Sequence, residues 1–109
     1  MKAKIEITKD RVIKKGKVAV AYSPSFGAGW TTWNKKINPF EPKVIELILA
    51  NRQSEINDVW VKENLGVDAY TGGTSDLVIA WLPIGTIFRI EEYDGAESIC
   101  TVEDLTYKA

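Results

Sequence analysis

The chain opens with Ala3, Ile5 and Ile7 alternating with Lys4, Glu6 and Thr8. That two-residue period predicts a half-buried β-strand. Positions 9–17 are charged and broken by Gly16, as a turn or hairpin connection would be. Positions 17–22 predict a second strand, with Val18, Val20 and Tyr22 on one face and small Ala19 and Ala21 on the other. Periodicity then stops from 23 to 38, which predicts a long structured loop. Pro39 and Pro42 lead into a helix whose apolar positions, Val44, Ile45, Leu47, Ile48 and Leu49, carry it to about Gln53. Ser54 reads as the cap of a second, short helix with Ile56, Val59, Trp60 and Leu65 on one face, stopped by Gly66.

A second loop with adjacent Gly72 and Gly73 spans 68–76. Positions 77–82 are apolar on both faces, the pattern of a central strand. Positions 86–93 alternate again, with Phe88 and Ile90 opposite Arg89 and Glu91. Asp94-Gly95 is a tight-hairpin signal, and 97–102 returns as the last strand. The whole predicts one α+β domain over 1–109. A mostly antiparallel sheet of about five strands, including a C-terminal three-stranded meander, carries one or two helices packed on one face. Fraying is expected at the first residue or two and at 106–109.

Composition narrows the chemistry. Among 109 residues there is no histidine, which removes the commonest general base and metal ligand, and Cys100 is the single cysteine. A catalytic set of the Ser-His or Cys-His kind, an intrachain disulfide and a cysteine zinc site are therefore excluded within one chain. We expect no catalytic residue, no metal and no cofactor. The N-terminus lacks a signal-peptide core, and no apolar run reaches the length of a membrane span. A cytoplasmic location is expected. The net charge of −1 is unevenly spread: residues 1–54 carry 11 Lys/Arg and 4 Asp/Glu, and residues 55–109 carry 3 and 11. A basic surface could face an anion, or the two halves could interleave and neutralise each other.

The main constellation is the run from Tyr22 to Asn34. Tyr22, Phe26, Trp30 and Trp33 offer aromatic faces for stacking. Gly27 and Gly29 let backbone amides approach a ligand, and Ser23, Ser25, Thr31, Thr32 and Asn34 add uncharged polar groups. Lys35 and Lys36 follow at once, and Arg89 could grip a phosphate or carboxylate. The run lacks the Gly-Lys-Ser/Thr ending of a phosphate-binding P-loop and the third glycine of the dinucleotide fingerprint. Its tryptophans could equally close one end of the core. Gly72-Gly73-Thr74-Ser75 reads as a second pocket wall or a plain turn. The carboxylates Glu91, Glu92, Asp94 and Glu97 read as a solvated hairpin edge or as a cation site, and Cys100 as core.

The run YSPSFGAGWTTWN at 22–34 and the run WLPIGTIFRIEEYDGAES at 81–98 resemble a group of small bacteriophage and prophage proteins of unassigned function. Ser25 stands where that group usually has glycine. The resemblance implies a viral or prophage origin. Together with the loop it suggests a homo-oligomeric binding protein in the host cytoplasm that sequesters a small anionic, nucleotide-type immune signal. The alternatives are a module that binds and inhibits a host protein, and a metal-dependent nuclease or phosphodiesterase acting through carboxylates.

Overall fold

The computed structural model describes residues 4–101. The expected strand start at Ala3, the strand end at Val102 and the fraying expected at both termini lie outside the described residues. Among the described residues, six strands and two α-helices give an α+β fold, as expected. The strands are β1 (Ile5–Ile7), β2 (Val12–Lys14), β3 (Lys17–Tyr22), β4 (Val78–Pro83), β5 (Phe88–Tyr93) and β6 (Ala96–Thr101), and the helices are α1 (Pro42–Leu49) and α2 (Asp58–Leu65).

The strands form two antiparallel sheets rather than one. A four-stranded sheet runs β1-β2-β3-β4, and β5 pairs with β6 alone. Strand β2 lies within the 9–17 segment, which the sequence pattern marks as a charged turn or hairpin connection. It exists because Lys15 and Gly16 take left-handed φ of 51° and 73° and close a two-residue hairpin, with Lys14 opposite Lys17. The meander expected at the C-terminus is broken. Strand β4 returns to β3 in register Val18↔Leu82 and Val20↔Ala80, and the Asp94-Gly95 turn, with φ of 52° and 87°, closes β5 on β6.

The pleat sorts the four-stranded sheet into two faces. Val12, Ala19 and Ala21, with half-buried Ile79 and Trp81, pack under the helices in a core that includes Trp30, Val44, Ile45, Ile56, Val61 and Leu77. The small alanines of β3 let the helical layer come close. On the other face Ile13, Val18, Val20 and Leu82 meet Phe40 and Phe88 across a cavity of about 290 Å³. Phe40 contacts Phe88 edge to face at 5.8 Å and lies 3.7 Å beneath the Arg11 guanidinium.

Both helices stop for local reasons. Helix α1 ends at Leu49, short of Gln53, because Asn51 enters the left-handed region at φ 56°. The Asn51 and Arg52 N–H groups then fold back onto the carbonyls of Ile48 and Leu47. Ser54 lies in a single 3-10 turn, and the cap of α2 is Asn57, whose side chain accepts the Trp60 N–H at 2.8 Å. Gly66, at φ 72°, closes α2 as expected. Val61 is the fully buried residue of α2, whereas Val59, expected on the inner face, is 63% exposed.

Candidate functional site

The 22–34 loop is built around one carboxylate. Glu97, at the start of β6, is 3% exposed. Its Oε1 accepts the Ser23 N–H at 2.8 Å; its Oε2 accepts the Trp30 N–H at 2.9 Å, the Thr32 N–H at 3.0 Å and the Thr32 hydroxyl. Among the described residues no Lys or Arg pairs with Glu97. The Glu97 carboxyl group is thus held by three amides and one hydroxyl of a single loop, gathered from residues 23, 30 and 32.

Two further close approaches lock the loop. The Gly27 N–H donates to the Asp94 carbonyl at 2.8 Å, and a side chain on Gly95 would collide with Gly27 and Ala28. A Cβ on Gly73 would lie 2.5 Å from the Ala28 carbonyl oxygen and 2.9 Å from Ser23 Oγ. The Gly72-Gly73 loop therefore packs directly on the first loop. Asn34 joins the two: its Nδ2 donates to the carbonyls of Trp30 and Tyr70, and its Oδ1 accepts the Tyr70 N–H at 2.8 Å.

This construction sorts the candidate residues. Ser23, Trp30 and Asn34 are buried and committed to the loop's own packing. Trp30 is 1% exposed in the core, so it has no free ring face for a ligand; its indole Nε1 has no partner among the described residues. Thr32 is bound to Glu97, and Tyr22 is half-buried in β3 opposite Val78. Ser25 and Thr31 are half-buried, Gly29 is buried, and Gly27 is exposed, as are Lys35 and Lys36.

The aromatic faces that reach solvent are Phe26, at 71%, and Trp33, at 42%. Trp33 rests over Gly29, where a Cβ would meet its Cδ1 at 2.8 Å, and its ring contacts Tyr70 at 5.5 Å. Tyr70 and Tyr93, at 53% and 79% exposure, were not singled out in the sequence. Tyr70 lies two residues before the Gly72-Gly73 pair that lets its loop approach; nothing local marks Tyr93.

Arg89 is not part of this constellation. It projects from β5, where its Nη2 lies 2.6 Å from Glu91 Oε1. That hydrogen bond raises the guanidinium pKa further above its usual value. Three of the four carboxylates of the hairpin are also separated in role. Glu91 serves Arg89, Glu92 accepts the Gly95 N–H at 2.8 Å, and Glu97 is interior. Among the described residues no group of three or more His, Cys, Asp or Glu side chains is placed to hold a metal ion. The Cys100 thiol is pushed up from its usual pKa, first by desolvation and then by the Glu91 charge.

A basic notch lies apart from the loop, where Lys14, Lys15 and Lys17 surround Trp81 and leave a cavity of about 270 Å³. Lys14 and Lys17 are direct cross-strand neighbours, and Lys14 Nζ sits 5.5 Å from the Trp81 ring centre. Among the described residues no carboxylate forms an ion pair with these lysines. Like charges set opposite one another disfavour the pairing of β2 with β3.

Fold and site together define a two-sheet α+β protein with a loop wrapped around an internal carboxylate. No family model matches the chain, and neither a curated protein nor a solved structure matches it significantly. Among the described residues no helix is long and apolar enough to cross a membrane.

Proposed function

We propose that this chain is a non-enzymatic binding protein whose partner is another protein, engaged through the aromatic surface of the 22–34 loop. One observation carries the reading: Glu97 already occupies the loop amides that would otherwise receive a phosphate, while Phe26, Trp33 and Tyr70 are held outward on a braced backbone. Rigid, exposed aromatics lose little conformational entropy on docking and act as anchors at protein interfaces. Given the resemblance to phage and prophage proteins, the partner is a host protein that this chain inhibits. The test is affinity capture from host lysate with the native protein and with Trp33→Ala and Phe26→Ala. A partner retained by the native protein and lost by both folded variants supports the reading. Equal capture by all three overturns it.

A second reading keeps a small anionic, nucleotide-type ligand but moves it to the Lys14, Lys15, Lys17 and Trp81 notch. The observation favouring it is the set of lysines without a carboxylate partner around an indole face. A melting-temperature panel of mono-, di- and cyclic nucleotides tests it. A shift abolished by Lys14→Ala and Lys17→Ala, but not by Trp33→Ala, favours this site over the loop.

A further inference from the structure

Strand β4 ends the four-stranded sheet, and among the described residues only β3 pairs with it. Three contacts fix which of its amides face outward. The β2–β3 hairpin closes at Lys14–Lys17, the Ala21 N–H leaves β3 on the side away from β4 to reach the Pro39 carbonyl, and the Ile84 N–H reaches Gly16. Even-numbered residues of β3 and β4 therefore bond to each other. The N–H and C=O groups of Ile79 and Trp81 point from the free edge.

Natural edges are protected by shortness, by charge or by proline within the strand. At the opposite edge, β1 is three residues long and carries Glu6. Strand β4, by contrast, runs six residues, VIAWLP, without a charge, and its proline falls at the very end. Exposed Val78, Ile84 and Ile87 extend the apolar character along and beyond it.

We infer that β4 pairs antiparallel with β4 of a second copy of this chain, joining the two four-stranded sheets into one. A register centred on Ala80 sets Ile79 opposite Trp81 of the second copy, and the reverse, so that every outward N–H of β4 finds a carbonyl. Because the strand is uncharged, self-pairing meets no like-charge repulsion. A two-fold axis makes the contact self-complementary and closed.

The test is sedimentation of the full chain from low to high micromolar concentration, read beside amide hydrogen exchange at Ile79 and Trp81. The expected result is a concentration-dependent dimer, with protection of those two amides rising as it forms. Ile79→Pro removes an outward N–H and leaves the β3 ladder intact. It should weaken the dimer about 10- to 100-fold, since two hydrogen bonds per dimer are lost. Ile79→Ala, which loses the same packing but keeps the N–H, should still dimerise. A monomer throughout, a dimer whose Ile79 and Trp81 amides exchange at the monomer rate, or a dimer that a folded Ile79→Pro variant leaves unchanged would each overturn the inference. Should Ile79→Pro unfold, the exchange measurement on the native chain decides.

Discussion

Ser23 and Glu97 hold each other in both directions. The Ser23 N–H donates to Glu97 Oε1 at 2.8 Å, and the Glu97 N–H donates to the Ser23 carbonyl at 2.7 Å. The first loop residue is thereby fastened to the last strand through backbone and side chain together. The remaining carboxylate oxygen gathers Trp30 and Thr32 from the far side of the loop.

Replacing Glu97 tests this. Glu97→Gln places an amide NH₂ where donors converge, and Glu97→Ala leaves three buried or half-buried N–H groups without their acceptor. We expect about 2–3 kcal/mol of destabilisation for glutamine and about 3–5 kcal/mol for alanine. Urea denaturation measures both. A loss under about 1 kcal/mol for alanine would show that the loop does not depend on the carboxylate.

The two loop tryptophans should behave oppositely. Trp30→Ala empties a fully buried site and should cost about 3–5 kcal/mol. Trp30→Phe should cost less, because it also removes the unpartnered indole N–H. Trp33→Ala, at a 42% exposed residue, should cost about 1 kcal/mol or less. Melting temperatures of the three variants give the ranking, and equal losses for Trp30→Ala and Trp33→Ala would contradict it.

Glycine contacts at the loop base predict a steric effect with a definite place. Gly95→Ala puts a Cβ within 2.8 Å of the Gly27 backbone and closer still to Ala28 N, at a φ of 87° that L-residues avoid. We expect about 2–4 kcal/mol of destabilisation. Gly85→Ala, at φ 90° with no heavy atom within 4 Å of the added Cβ, carries strain alone and should cost less. Thermal unfolding of the pair separates contact from strain.

Cys100 should be a sluggish thiol. Desolvation and the Glu91 charge raise its pKa, so the thiolate fraction at neutral pH falls below that of a free cysteine. Alkylation by iodoacetamide should be slower than for a model thiol at neutral pH and accelerate as pH climbs. Glu91→Gln removes a pKa-raising charge and should speed the neutral-pH reaction.

Arg52 and Glu55 form an exposed ion pair in which the hydrogen bond from Arg52 lowers the Glu55 pKa. A depressed carboxylate pKa contributes stability above its unfolded value, and that contribution disappears as pH falls through the folded value. Glu55→Gln should therefore lower neutral and alkaline stability slightly, since exposed pairs are strongly screened, leave strongly acid stability unchanged, and so flatten a small part of the acid limb. Stability measured against pH for both proteins checks the sign.

Much of the architecture is visible in the amino-acid pattern, because alternation and helical spacing are local signals. Strand β3, both helices and the Asp94-Gly95 turn can be read directly. Pairing is less legible. The run at 77–82 is apolar on both faces because helices cover one side and the Phe40–Phe88 layer approaches the other; that pattern reports covered faces, and a strand can have both while lacking a neighbour on one edge. Glu97 reads as one acid among four at an exposed hairpin. Its partners lie 65 to 74 residues earlier, so no nearby residue announces its burial. Trp30 and Trp33 share a loop and a chemistry, and only the direction of the backbone places one inside and one out.

The long sequence distance between Glu97 and the loop has a consequence for the timing of synthesis. A nascent chain carries the loop's aromatic residues out of the ribosome long before their carboxylate anchor exists. Until β6 emerges, the Ser23, Trp30 and Thr32 amides lack their acceptor and the platform cannot set. The loop is thus braced only after Glu97 has been made, and a product truncated before Glu97 would lack the acceptor that gathers Ser23, Trp30 and Thr32.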